Sequence, residues 1–254
     1  MNRSQASQVV LVTGASEGTG LNLVDILLQR GHRIASFSQT LSAELKAFQN
    51  SNPNFLLTIQ GDPASHESCA SAIAFTTSHF GRLDALVLSG ASDKPSLHGG
   101  DIREEEIAEN FAANLSGAYS LLRAAIPELR GPRGRVVIMT TALSPGRGSI
   151  AEHGATAAAV DTLVSSIAQE EESVTFLALD PGLVNTPFRK RVAQTTPSAT
   201  HNEAANVESS NMLVSPKQVA SNIAALALHA PEGMSGRIIK WDADEVKALL
   251  LASA

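Results

Sequence analysis

Val9-Val10-Leu11-Val12-Thr13-Gly14-Ala15-Ser16-Glu17-Gly18-Thr19-Gly20-Leu21-Asn22-Leu23-Val24 is the stretch on which the reading of the chain turns. Five apolar or β-branched residues run straight into a glycine-rich turn, and apolar residues at helical spacing follow at once. Val9-Thr13 is apolar at successive positions, so both faces of this strand are buried and helices must cover both sides of its sheet. Glycines in the turn let the backbone bend tightly and approach a pyrophosphate, whose charge is then met by amides at the helix N-terminus. The glycine spacing is a weak signal alone; strand, turn and helix in this order make it specific. Gly14, Ser16, Glu17, Gly18, Thr19 and Gly20 are therefore candidate contacts for a nucleotide.

Outward from this turn, short apolar runs alternate with longer segments of helical period. Strands are expected at Val9-Thr13, Arg33-Phe37, Phe55-Gln60, Ala85-Leu88, Arg135-Thr140, Val174-Leu179 and Arg237-Trp241. Helices are expected at about Gly18-Arg30, Ser65-Phe80, Arg103-Leu129, Gly154-Glu171 and Pro216-Ala230. The pattern predicts an α/β fold: one Rossmann-type domain over residues 1–254, with a doubly wound, parallel, seven-stranded sheet. Arg189 to Val214, rich in Thr, Ser, Ala, Asn and Glu, departs from the alternation and reads as a mobile substrate-side lobe.

Composition narrows the class of function. With 254 residues, 43% hydrophobic and 17% charged, the chain is long enough for a sizeable core without a second domain. A net charge of -6 and the lack of any basic cluster interleaved with aromatics argue against nucleic acid, leaving small-molecule chemistry. The single Cys69 excludes an internal disulfide and a cysteine-based metal cluster, and reads as an inert thiol on a helix in a reducing compartment. The polar start, Met1 to Gln8, has no signal-peptide character, and no apolar stretch is long enough to span a membrane, so a cytoplasmic protein is expected.

Thr13-Gly14-x-x-x-Gly18-x-Gly20 resembles the nucleotide motif of the short-chain dehydrogenase/reductase family, and further landmarks of that family occur in order. Asp62 matches its adenine-contacting aspartate, and Ser89-Gly90-Ala91 stands where Asn-Ala-Gly usually follows the fourth strand. Asn114 matches the helix asparagine of the catalytic tetrad. Asp180-Pro181-Gly182-Leu183-Val184-Asn185-Thr186-Pro187 resembles the Pro-Gly motif that packs on the nicotinamide, with Thr186 at the carboxamide position. The resemblance covers about residues 8 to 242, and the ending Ser235-Gly236-Arg237 to Trp241-Asp242 resembles fungal sepiapterin-reductase-like members. It implies a nicotinamide dinucleotide held by Gly14, Ser16, Glu17, Gly18, Thr19, Gly20, Ser38, Asp62, Gly90, Pro181, Gly182, Val184 and Thr186, with no metal. It also implies a homo-oligomer, dimer or tetramer, paired through the two long helices. Ser36-Phe37-Ser38 lacks the acid that holds the ribose 2′-OH in NAD-binding members, which favours NADP(H). Glu17 opposes this, since NADP users often carry a basic residue there; Arg33 or a nearby serine is the expected compensation.

The resemblance fails where the family does its proton chemistry. Matching Val136-Val137-Ile138-Met139-Thr140-Thr141 to the fifth strand puts Thr141 at the catalytic serine, and thirteen residues further Gly154 and Ala158 occupy the Tyr-x-x-x-Lys positions. Tyr119, the only tyrosine, lies on the preceding helix and is expected to pack there. General acid catalysis contributes about 10²–10⁴-fold, so ordinary ketone reduction is disfavoured. A cationic acceptor such as an iminium needs no proton donor, and a cyclisation needs only positioning and electrostatics. Asp161 lies seven residues after Gly154 and three after Ala158, on the same helix face. A carboxylate there is costly unless solvated, paired or used, which leaves a catalytic group, a structural ion pair and simple exposure all open. Arg130, Arg133 and Arg147 are candidate partners for Asp161 or a substrate carbonyl, and His153 a candidate replacement acid/base.

Thr141, Asn114 and Asp161 are thus the catalytic candidates. A missing Tyr/Lys pair with an aspartate further along the helix is similar to a fungal branch of the family that serves indole-alkaloid biosynthesis. That similarity implies NADPH-dependent reduction of a cyclic iminium, intramolecular Diels–Alder closure, or both. Removing a large tyrosine and lysine should also enlarge the pocket, which predicts a bulky substrate. A non-catalytic NADP(H)-binding sensor or regulatory pseudoenzyme is the alternative.

Overall fold

The computed structural model describes residues 7–90, 103–140, 151–195 and 213–252; for 151–153 and 192–195 it describes the backbone alone. In chain order these residues form β1 (Val9–Thr13), α1 (Gly18–Gln29), β2 (Arg33–Ser38), α2 (Ala43–Ser51), β3 (Leu56–Gln60), α3 (His66–Phe80), β4 (Ala85–Leu88) and α4 (Glu104–Phe111). They continue as α5 (Gly117–Arg130), β5 (Arg135–Met139), α6 (Ala151–Glu170), β6 (Thr175–Asp180), α7 (Pro187–Thr195), α8 (Pro216–His229), β7 (Arg237–Lys240) and α9 (Asp244–Ala252). The seven strands make one parallel sheet in the order β3-β2-β1-β4-β5-β6-β7. The order reverses between β1 and β4, and in open parallel sheets the crevice at such a reversal, beyond the strands' carboxyl ends, is where ligands bind.

Alternation along the strands explains the two helical layers. Val10 and Val12 point into one core with Leu23, Leu27, Ile223 and Leu226 of α1 and α8, while Val9 and Leu11 point into the other with Ile73, Leu121, Leu122 and Val164 of α3, α5 and α6. Each central strand therefore buries both faces, as its unbroken apolar run requires. Among the described residues no helix is long and apolar enough to cross a membrane, and no group of three His, Cys, Asp or Glu is placed to hold a metal. Cys69 is buried, its Sγ–H donating to the Pro63 carbonyl at 3.2 Å, and burial pushes its thiol up to about 11. It is an inert core residue.

Of the lobe expected over Arg189 to Val214, the described residues show the end of α7 and the return at Val214, which pairs with Val184; residues 196–212 lie outside the described residues. Three other readings need correction. The helix expected over Arg103-Leu129 is α4, a π-helical segment Ala112–Ser116 and α5, so an extra residue is accommodated around Asn114. Tyr119 does not pack into the helix layer but is 51% exposed on α5. Two helices went unread: α2, whose cap Ser42 accepts the Leu45 amide, and the C-terminal α9, which buries Val246.

Asp84 joins the strands where they start. One carboxylate oxygen accepts the buried Val9 amide at 2.9 Å, the other pairs with Arg82, and its carbonyl accepts the Arg135 amide at 3.0 Å. Asp84→Ala strands the Val9 donor inside the protein, at about 1–3 kcal/mol. For a domain of this size each kcal/mol moves the melting midpoint by roughly 2–4 °C, so a fall of several degrees is expected. Arg82→Ala removes a half-exposed cation and is expected to cost under about 1 kcal/mol. Equal losses in thermal melts would assign the stabilisation to the ion pair instead of the buried amide bond.

Candidate active site at the carboxyl edge of the sheet

The glycine-rich turn leaves β1 at Gly14, whose φ is +65°, and passes close over the end of β4. A Cβ on Gly14 would lie 2.5 Å from the Gly90 Cα, so the approach requires glycine there. Ser89 locks the junction: its hydroxyl donates to the Thr13 carbonyl at 2.5 Å, and its amide donates to Thr13 Oγ1 at 3.2 Å. Glu17 caps α1 without offering a side-chain acceptor, which leaves the first-turn amides open to an anion. Thr19 Oγ1 is buried in that turn with no hydrogen-bond partner among the described residues. At Gly18, φ +58°, a Cβ would meet Thr186 Cγ2 at 3.2 Å, so the Pro-Gly segment stands directly over the turn. A glycine cradle, free amides and an orphaned hydroxyl together fit a dinucleotide's pyrophosphate.

At the adenosine end, Asp62 is exposed beyond β3 and its Oδ1 accepts from Gln39 Nε2 and the Ala64 amide, each at 2.9 Å. Ser38 is buried, and its hydroxyl accepts the Ala15 amide at 3.1 Å, so it braces the turn from below. Ser16 donates to the Thr40 carbonyl, tying the turn to the loop after β2. Arg33 cannot compensate for a missing basic residue. It opens β2 at the opposite edge of the sheet, five residue steps from Ser38, which is roughly 16 Å of strand. Glu17 is engaged by Arg191 of α7, Oε1 to Nη2 at 2.6 Å and Oε2 to Nη1 at 3.0 Å.

At the other end, Asn114 sits within the π-helical segment and its Nδ2 donates to Asn110 Oδ1 at 2.8 Å. The same oxygen accepts from buried Thr156 of α6 at 3.3 Å, so Asn110 couples Asn114 to the helix that carries Gly154 and Ala158. Ala158 is exposed and Gly154 half-buried. Asp161, one turn on, reaches the ends of β5 and β6. Its Oδ1 is buried without a geometrically ideal hydrogen bond among the described residues, and the Thr140 hydroxyl lies close by. Burial raises the Asp161 pKa, the Thr140 hydroxyl works against this, and the charge of Asp180 adds to the rise. Asp180 itself accepts the Gly182 amide at 2.9 Å, which fixes its carboxylate beside the Pro-Gly turn.

Arg130 pairs with Glu171 at 2.6 Å and Arg133 with Glu232 at 2.5 Å, both at the protein surface, so neither is the partner of Asp161. Thr141, Arg147 and the side chain of His153 lie outside the described residues. The structure thus brings together Asp161, Thr140 and Asp180. Sequence reading had singled out only the first, since Thr140 counts as strand and Asp180 as the opening of the Pro-Gly motif. A signal for Asp180 did exist: it is the last residue of β6, on the edge where an α/β sheet binds ligands.

The model of the short chain dehydrogenase family matches residues 8–197. An uncharacterised oxidoreductase of Schizosaccharomyces pombe is 27% identical over 242 residues, covering 93% of this chain and 97% of that one. Versicolorin reductase 1 of Aspergillus parasiticus is 28% identical over 256 residues, covering 95% and 97%. A short-chain dehydrogenase/reductase from Saccharomyces cerevisiae superposes with a TM-score of 0.88 at 24% identity, over 96% of this chain and 99% of that one. The last likeness speaks for the fold alone, a fold that in this family holds a nicotinamide dinucleotide. With a glycine cradle at the sheet's reversal and a family match over most of its length, the chain belongs to the short-chain dehydrogenase family.

Proposed function

We propose that the protein is an NADP(H)-dependent enzyme of natural-product biosynthesis that reduces a bulky iminium cation, and that its pocket can also guide an intramolecular Diels–Alder closure. The observation that carries this reading is Asp161, a desolvated carboxylate beside Thr140 and Asp180, with one oxygen that has no hydrogen-bond partner among the described residues. A desolvated carboxylate beside the charge of a second acid is costly on its own and becomes favourable when a cation arrives. The kinship with reductases, a versicolorin reductase among them, supports redox chemistry in general.

The bound reduced nicotinamide supplies a hydride. Addition of hydride to an iminium forms one C–H bond while the C=N π pair moves onto nitrogen, so the neutral amine results with no proton required. Gly154 and Ala158, which offer neither acid nor cation, are then no handicap. Asp161 holds the cation in place until it is discharged. Thr141 supplies a hydroxyl at the family's serine position, and Asn114 orders that end of the cleft through Asn110 and Thr156. Pro181, Gly182, Val184 and Thr186 would hold the nicotinamide half of the dinucleotide, Gly14, Ser16, Gly18, Thr19, Gly20 and Gly90 its pyrophosphate, and Ser38 and Asp62 its adenosine. The absence of an acid at Ser38 removes the usual anchor for an unphosphorylated ribose.

With NADPH and a cyclic iminium, wild-type protein is expected to consume the nucleotide, and Asp161→Asn to lower kcat/KM by about 10²–10³-fold, the usual loss for a preorganised charge-stabilising group. Nucleotide binding without turnover of any iminium or tethered diene would instead identify a regulatory NADP(H)-binding protein.

The same variant has a signature in stability. Native Asp161 holds its proton more tightly than the unfolded chain does, so its contribution is most favourable at low pH and is lost as pH rises above the ordinary aspartate value, near 4, through the raised native value. Asp161→Asn is therefore expected to melt above wild type at neutral pH, by a margin that closes towards pH 4. A margin independent of pH would show that Asp161 is not desolvated in the native protein.

A further inference from the structure

The glycine-rich turn carries an acid at the place where a phosphate is to be held. Glu17 lies between Ser16, whose hydroxyl ties the turn to Thr40 at the adenosine end, and Gly18, which lies against Thr186 at the nicotinamide end. It also caps α1, the helix whose open amides fit the pyrophosphate. A free carboxylate there opposes every phosphate of the ligand. Facing a phosphate across roughly 7 Å, in an effective dielectric of about 40, a unit charge alters affinity on the order of tenfold.

Arg191 reaches Glu17 from 174 positions further along the chain and grips both carboxylate oxygens, at 2.6 and 3.0 Å. This paired, forked geometry is the strong form of the arginine–carboxylate contact. Both side chains are about two-fifths exposed, 43% and 41%, so the pair contributes little to global stability and can serve the ligand instead. We infer that Arg191 is a specificity-determining residue: by neutralising Glu17 from α7 it makes an acidic glycine-rich turn tolerant of the dinucleotide's phosphates, and most of all of a 2′-phosphate. The second half of this statement rests on the NADP(H) reading above; the first rests only on the family's use of a nicotinamide dinucleotide.

The pair also explains how the chain can carry Glu17 although the residues that end β2 and follow it bring no cation. Among Ser38, Gln39, Thr40 and Ser16 there is no cation to offset Glu17. The offset arrives instead from the segment after the Pro-Gly motif, a place that local inspection of the turn does not reach.

The test is a double-mutant cycle by calorimetric titration of the full-length protein with NADPH and NADH at low and physiological salt. Arg191→Ala is expected to weaken NADPH by about tenfold and NADH by less, with both losses shrinking as salt rises. Glu17→Gln alone is expected to bind as well as wild type or better, and Glu17→Gln/Arg191→Ala to return to within about threefold of wild type. Arg191→Lys, which keeps the charge, is expected to retain most of the affinity and guards against an Arg191→Ala protein that folds poorly. Unchanged binding in Arg191→Ala overturns the inference. So does a double variant as weak as Arg191→Ala, because Arg191 would then act by touching the phosphate or by holding α7. Wild-type preference for NADH overturns the NADP(H) reading alone, since the cycle read with NADH still reports on the pair.

Discussion

The approach of Gly14 to Gly90 is the constraint around which the rest is arranged. The chain leaves β1, turns without a side chain over the end of β4, and enters α1 with its first amides pointing at the crevice. A methyl group at Gly14 would collide with backbone, and Ser89 closes the junction by bonding both the hydroxyl and the carbonyl of Thr13. That closeness also sets the height at which Thr186 and the Pro-Gly segment can lie over Gly18. The nucleotide end is therefore built by backbone, which is why a departure such as Ser89-Gly90 for Asn-Ala is tolerated: both serve the same close crossing.

The opposite end of the crevice is built by side chains. On α6, Gly154 is half-buried and Ala158 exposed, and neither offers a proton donor or a cation. One turn on, where the sheet ends, stands a carboxylate. The same helix buries Thr156, Val160 and Val164 on the body, so α6 is seated by residues other than Gly154, Ala158 and Asp161. Function on such a helix is separable from packing because the two occupy different stripes of one surface.

What the sequence disclosed followed from this division. The seven strands were legible because both-face burial writes unbroken apolar runs, and the turn was legible because glycine spacing reports backbone geometry. The break around Asn114 was not, since a π-helical turn keeps the composition of the helices it joins. Short α2 was hidden by a largely polar surface, with Leu45 its only buried residue. Among site residues, Asp161 stood out because a charge interrupted an apolar face. Thr140 and Asp180 become neighbours only once β5 and β6 are paired, and Arg191 meets Glu17 only once α7 is laid across the turn. Pairs distant in sequence leave no local trace, and Arg33, near in sequence to the adenosine strand's end, is far from it in space.

Charge along the crevice then tells its two ends apart. The protein is acidic overall, and both ends of the cleft carry carboxylates. At the nucleotide end, where the ligand is an anion, Glu17 is answered by a forked arginine. At the substrate end Asp161 lies beside a second acid, Asp180, and Arg130 and Arg133, which could have answered it, are bound to surface glutamates. An ion pair in the first place and, in the second, a desolvated acid with no cation against it among the described residues are opposite solutions to the same problem of placing a carboxylate near a ligand. The first fits a ligand that brings negative charge. The second leaves the negative charge for a ligand that brings the positive one, and that asymmetry is the physical ground for reading the substrate as a cation.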